Sequence, residues 1–143
     1  MLHEVADEVS DPTPSALQTA YEDRLRKTVT TVGHEKVIAG TDVDADRLDA
    51  LAEGDSPPVT VEEAASILAL DDGMPDVDAI VFELRDHLLM GMTTSVLDVD
   101  TIAANIETDL TAQEVQQAIE GRTEMTLAQL AAIQSVIDGW TEN

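Results

Sequence analysis

The sequence contains no cysteine, which excludes a disulfide framework, a thiol nucleophile and a thiolate zinc site. Aromatic side chains are nearly missing: Tyr21, Phe82 and Trp140 are the only three. A core must therefore come from Leu, Ile, Val, Ala and Met, which suit close helix–helix packing but each bury modest area. Basic residues are scarce, seven against thirty carboxylates, and only Lys27 and Lys36 are lysines. No run approaches the roughly 18–20 apolar residues that a membrane span requires. The opening Met1-Leu2-His3-Glu4-Val5 lacks the basic and apolar regions of a signal peptide. The expected location is the cytoplasm, with no membrane partner.

What is present is acid and aliphatic. The net charge is −23, yet 43% of residues are apolar, too many for a disordered acidic polymer. A chain of 143 residues suits one compact domain or two small lobes sharing a core. The charge is spread evenly: residues 1–72 carry 17 acids and 5 bases, and residues 73–143 carry 13 and 2. An acidic tail or a mimic of nucleic acid would concentrate it. In an ordinary cytoplasm such a surface repels itself strongly, whereas at molar salt the screening length falls to about 3 Å. The composition points to the cytoplasm of a salt-in halophile. The rival reading is an acidic protein that binds a basic partner, or mimics nucleic acid, in a low-salt organism.

Helix punctuation is dense and strand signals are nearly absent. Thr13-Pro14 supplies an N-cap and a first-turn proline for a helix that Leu17, Tyr21, Leu25 and Val29 carry to Gly33. A short helix over 34–39 closes at Gly40. Asp44 caps the next, with Leu48 and Leu51 inward and Gly54 as its stop. Pro57-Pro58 forces an extended connection, and Thr60 with Glu63 forms a capping box for a helix through Leu70. The second half follows the same plan. Pro75-Asp76 opens a long helix through Met92, apolar on more than one face and so expected to be the central buried helix. Asp98 caps a short helix. Capping boxes at Thr111/Glu114 and Thr126/Gln129 open two more, the first stopped by Gly121.

The halves superpose at an offset of 67 residues: Thr41-Asp42-Val43 on Thr108-Asp109-Leu110, Leu48 on Val115, Glu53-Gly54 on Glu120-Gly121, and Thr60 on Thr126 after a one-residue gap. The expected organisation is an N-terminal arm (1–12) and two repeats of four helices (13–72 and 73–143).

Each repeat resembles the lambda-repressor-like helix-turn-helix domain. The pattern is a short helix, a turn, a recognition helix ending in Glu-Gly, then a linker and a helix. It runs from residues 37–46 into Arg47-Leu48-Asp49-Ala50-Leu51-Ala52-Glu53-Gly54, and from Thr101-Ile102-Ala103 to Glu114-Val115-Gln116-Gln117-Ala118-Ile119-Glu120-Gly121. The resemblance implies an all-α fold of two tandem four-helix lobes packed around the central apolar helix. Across its length the chain also looks like a family of small acidic haloarchaeal proteins of uncharacterised function. That likeness is carried by Arg85-Asp86-His87-Leu88-Leu89-Met90-Gly91-Met92 and Thr93-Thr94-Ser95-Val96-Leu97-Asp98-Val99-Asp100. It implies a halophile and brings no activity.

Repressor-like domains read bases with the N-terminal part of the recognition helix. The first copy presents Asp44, Ala45, Asp46 and Asp49, whose three carboxylates repel phosphates. The second presents Thr111, Gln113, Gln116, Gln117 and Arg122, and glutamine can pair bidentately with adenine. The electrostatic footing for DNA is thin, because phosphate contacts from Lys and Arg supply most non-specific affinity and this half holds only Arg85 and Arg122. The cluster Arg24, Arg26 and Lys27 is expected to pair locally with Glu22 and Asp23.

Asp42, Asp44, Asp46 and Glu53 have the spacing of a calcium loop, but Arg47 stands where its sharp turn needs glycine. Capping explains these aspartates better, and no metal or cofactor is expected. His3, His34 and His87 are far apart, no phosphate-cradling glycine loop exists, and nothing assembles a reacting group with its partners. An enzyme is not expected. Met90 reads as a core filler, whereas Met92, Thr93, Thr94 and Trp140 are candidates for an adaptable protein-contact surface. The expected function is a regulatory or adaptor role through an unidentified protein partner. The alternative is a transcriptional regulator that reads DNA through the second repeat, with homodimerisation open because helix-turn-helix readers usually pair.

Overall fold

The computed structural model describes residues 2–141, except the side chains of His3 and Thr141. A short 3-10 helix (Leu2–Glu8) precedes eight α-helices: α1 (Pro14–Val32), α2 (His34–Gly40), α3 (Ala45–Ala52), α4 (Val61–Leu68), α5 (Val77–Ser95), α6 (Val99–Asn105), α7 (Ala112–Glu120) and α8 (Leu127–Thr141). The described residues form no strand, only one isolated antiparallel bridge between Thr60 and Thr126.

The caps explain where the helices begin. Thr13 Oγ1 accepts from the Ala16 N–H at 3.2 Å, Asp76 from Ala79 at 2.9 Å and Asp98 from Thr101 at 2.8 Å. Each satisfies an N–H with no intrahelical partner, worth about 1 kcal/mol. Asp98 is held below the usual carboxylate range mainly by the Thr101 backbone N–H. Reciprocal capping boxes open α4, α7 and α8 at Thr60, Thr111 and Thr126.

The first three helices of each half have similar lengths, 19 residues in α1 and α5, 7 in α2 and α6, 8 and 9 in α3 and α7, but the fourth do not: α4 has 8 and α8 has 15. Matching backbone bonds close the third helix of each half. The Asp55 N–H donates to the Ala50 carbonyl and the Arg122 N–H to the Gln117 carbonyl, both at 2.9 Å. Gly54 and Gly121 take the left-handed φ values (97° and 79°) that these stops require. The packing crosses over between halves. α1 lies against α8 and α4 against α5, while α3 rests on α1 and α7 on α5.

The enclosed helix is α8, not α5. Leu127, Leu130, Ala131, Ala132, Ile133 and Ile137 are all buried, so α8 is covered on several sides. α5 buries Ile80, Val81, Leu84 and Leu88 on one side but leaves Phe82 69%, Leu89 49% and Met90 61% exposed. The apolar residues on its second face misled the periodicity, because a face of that kind reads as core whether or not anything covers it. The segment read as an N-terminal arm is also built in: Leu2, Val5 and Ala6 are buried, and this 3-10 helix packs on α1 and α5. Among the described carboxylates only Glu22 is buried, where the Ser56 hydroxyl donates to it at 2.9 Å.

Candidate functional site

The second helix-turn-helix candidate places its residues at the N-cap of α7, along α7 and on the turn after it, with Thr111, Gln116 and Arg122 already engaged. The Thr111 hydroxyl accepts from the Glu114 N–H at 3.2 Å as part of the cap. Gln113 and Gln116 are exposed, and the Gln116 amide donates to Glu120 at 3.0 Å. Gln117 is half-buried beside Glu114, Glu124 and Gln129 in a depression of about 150 Å³. The Arg122 Nε sits 3.1 Å from the Glu120 carboxylate. A glutamine here retains the chemistry to meet a base edge. Yet the cation that would hold a phosphate is paired with Glu120, and Glu114 and Glu124 line the depression beside Gln117.

The first copy is more strongly committed to structure. The Asp44 carboxylate accepts from the Asp46 N–H at 2.9 Å and caps α3. Arg47 meets Glu63 with both guanidinium nitrogens, one at 2.8 Å, and also donates to the Pro58 carbonyl at 2.9 Å. That bidentate pair holds the Glu63 carboxyl below its usual range, against the opposing effect of burial. Beside it lies a depression of about 400 Å³ lined by Asp42, Arg47, Glu62, Glu63 and Glu124 among others. Its one cation is already engaged. Of the basic cluster on α1, Arg26 pairs with the neighbouring acids, whereas Arg24 donates instead to the Thr28 hydroxyl at 2.6 Å. The Arg26 guanidinium lies 2.7 Å from Asp23. It also donates to the Leu51 and Asp55 carbonyls at 2.7 and 2.9 Å, binding α1 to the C-terminal end of α3.

A different surface carries a groove at the C-terminal end of α8. Trp140, 40% exposed at the end of α8, forms one wall of this groove of about 310 Å³. Ala132, Ser135 and Gly139 of the same helix also line it, with Pro14 and Val136, and Asn105 and Glu107 stand at its polar side. Ser135 donates its hydroxyl to the Pro12 carbonyl at 2.5 Å, fixing the chain that enters α1 across the helix carrying Trp140.

A family of unknown function, DUF5791, matches residues 17–140. The chain belongs to this family. No curated protein and no solved structure matches it.

In this DUF5791 chain the remaining contact candidates do not gather at one place. Met92 is half-buried against the core, while Thr93 and Thr94 are exposed, and Thr93 donates to the Leu89 carbonyl at 2.9 Å. Met92 does not line the Trp140 groove. The methionines exchange the roles that the sequence suggested, because two residues along a helix, about 200° of turn, separate a core position from a solvent one. His34 lies 2.6 Å from Asp49 and His87 lines a depression with Glu83, Asp86 and Met90, while the side chain of His3 is outside the described residues. Among the described residues no three His, Asp or Glu side chains could share a metal ion. None of the described helices is long and apolar enough to cross a membrane.

The sequence reasoning missed the outward face of α5. Its signal was the seven-residue spacing of Phe82, Leu89 and Val96, legible only once a neighbouring face is known to be the buried one. It also missed the strain at Val96, a β-branched residue in the left-handed region (φ 56°, ψ 46°) with 91% of its surface exposed.

Proposed function

We propose that this member of DUF5791 is a non-enzymatic regulatory or adaptor protein of a halophile, built from two duplicated helix-turn-helix-like lobes and working in the cytoplasm through protein contacts. Duplication is supported by the equal lengths of α1 and α5, by the matched stops at Gly54 and Gly121, and by the meeting of Thr60 with Thr126. The halophile reading is supported by the net charge of −23, carried almost entirely on exposed or half-exposed carboxylates.

The observation that carries the contact reading is the groove beside Trp140. It offers an aromatic wall, a floor of small side chains and one carboxylate at the edge. Such a site suits a segment of a second protein that presents a bulky aliphatic residue next to a basic one. The aliphatic group would fill the groove against the indole, and the cation would face Glu107. Reading DNA through α7 is less well supported, because Arg122 is paired with Glu120 and three glutamates crowd the same surface.

A photo-crosslinking residue at Val136, with one at exposed Asp109 as control, tests this inside a halophilic host. The protein captured from Val136 alone would then be purified and titrated at native salt. Weakening of its binding by about tenfold or more in Trp140→Ala supports the groove. Equal binding by that variant, or identical capture from Asp109, overturns it. Discrete DNA sites enriched with the wild type and lost in Gln113→Ala/Gln117→Ala would replace it with the DNA reading.

A further inference from the structure

The outward face of α5 carries an inference independent of the Trp140 groove. Phe82, Leu89 and Val96 recur every seven residues, which is two helical turns with a drift of about 20° per step. Phe82 and Leu89 therefore line up almost parallel to the axis about 10 Å apart, at 1.5 Å per residue, and Val96 follows as the left-handed C-cap just past Ser95, where the helix ends. Each is exposed, at 69%, 49% and 91% respectively, and Met90 adds 61% at the edge of the row. The buried side chains of the same helix, Ile80, Val81, Leu84 and Leu88, point away from this row. An aligned apolar row on a protein this acidic has a solvation cost that scattered exposed residues do not share.

The charges along α5 are unevenly placed. Asp78, Glu83, Arg85 and Asp86 all lie in its N-terminal half, while from Leu88 to Val96 the helix has no charged side chain. Two such helices laid parallel would set carboxylates against carboxylates. Laid antiparallel about a two-fold axis at Leu89, the acidic half of each meets the uncharged half of the other. Phe82 then falls opposite Val96, Asp86 near Thr93, and Leu89 against its own copy. A two-fold interface needs this kind of self-complementarity, in which each residue pairs with its mirror position.

We propose that the exposed row of α5 is a homodimer interface, in which two copies of this chain pack antiparallel through Phe82, Leu89 and Val96. The strained Val96 fits the arrangement. A glycine would relieve its left-handed backbone, but it would remove the apolar group that covers Phe82 of the second copy.

The chain has no cysteine, so introduced cysteines report alone. At about 2 M potassium chloride, where screening is nearly complete, sedimentation equilibrium of the full chain is expected to give a dimer that tightens as salt rises from low concentration. Leu89→Cys is expected to form a disulfide with itself. Phe82→Cys mixed with Val96→Cys is expected to cross-link as a heterodimer far faster than Phe82→Cys with itself. Leu89→Glu is expected to weaken the dimer by about 30-fold or more, and Val96→Gly to weaken it while raising the thermal midpoint of the dilute monomer. A monomer at all salts and concentrations overturns the proposal, as does a dimer whose Leu89→Cys variant fails to cross-link. If the row instead takes a basic helix of another protein, the purified chain stays monomeric and such a helix binds more weakly as salt rises, which also overturns it.

Discussion

Thr60 and Thr126 face each other across the two halves, and each starts its own helix at the point where they meet. The Val61 N–H donates to the Met125 carbonyl at 2.7 Å, and the Leu127 N–H to the Val59 carbonyl at 2.8 Å. Each threonine hydroxyl accepts the N–H three residues on at 3.1 Å, and each threonine N–H donates back to Glu63 or Gln129 at 3.0 Å. Two caps and an inter-half clasp thus share one short stretch of backbone. The first turns of α4 and α8 are fixed relative to each other before any side chain of the core is counted.

This sharing makes the two threonines energetically coupled. Thr60→Ala and Thr126→Ala are each expected to lower unfolding free energy by about 1 kcal/mol, the usual loss of an N-cap hydroxyl. Because the caps meet at one bridge, the double variant is expected to depart from additivity by about 0.5 kcal/mol or more. Denaturant melts of the four proteins at high salt check this. Strict additivity would mean that the two caps behave as separate structures.

Glu63 serves two partners, and pH separates them. Its carboxylate closes the Thr60 box and receives Arg47, and the Arg47 hydrogen bond is the main reason its pKa is lowered on folding. A depressed folded pKa contributes stability that is fully present above the ordinary glutamate pKa, about 4.3, and is lost as pH falls through the folded value. Glu63→Gln keeps an oxygen for the box, as Gln129 does in the matching position, but loses the charge that faces Arg47. The variant is expected to be about 1 kcal/mol less stable at pH 7. The gap should close as pH falls below the usual carboxylate range, which melts between pH 7 and pH 3 would reveal.

Most of the fold was legible where the chemistry is local. Thr13, Asp44, Asp76, Asp98 and Thr111 announce helix starts because a cap needs only a hydroxyl or carboxylate a few residues from a free N–H. Gly33, Gly54 and Gly121 announce stops for an equally local reason. Which helix is enclosed was not legible. Phe82, Leu89 and Met90 have the character of core residues, and only the positions of α4, α7, α8 and the 3-10 helix around α5 decide which of its faces stays open. The site was legible in part. Trp140 stood out by its rarity, but its neighbours in the groove, Pro14, Asn105 and Glu107, come from segments far apart in the chain. The pair between Arg122 and Glu120 is a contact that residue types alone suggest only weakly.

Two glycines inside helices should respond to the same substitution with opposite signs. A Cβ on Gly91 would fall 2.7 Å from the Ile137 Cγ2, whereas one on Gly139 meets nothing within 4 Å. Helix propensity alone favours alanine over glycine by up to about 1 kcal/mol. Gly139→Ala is expected to gain about half of that, since it lies near the end of α8. Gly91→Ala is expected to lose about 1 kcal/mol instead, because Ile137 is buried and β-branched, and overpacking there outweighs propensity. Thermal melts of both variants decide it. A gain in both would mean that α5 and α8 can separate without loss.

The surface charge sets the last expectation. Twenty-three net negative charges on a chain of 143 residues repel one another over a screening length of about 10 Å at 0.1 M salt, but only about 3 Å at 1 M. With Glu22 as the one buried carboxylate among the described residues, nearly all of that repulsion sits where salt can reach it. The thermal midpoint is therefore expected to rise steeply as potassium chloride goes from 0.1 M to about 1 M. A gain of about 3 kcal/mol would correspond to about 10 °C for a domain of this size. If screening is the cause, sodium and choline chlorides should give nearly the same curve as potassium, because ionic strength alone sets the effect. A gain confined to potassium would instead require cations held at particular carboxylates, and would remove the charge-screening account of why this chain is so acidic.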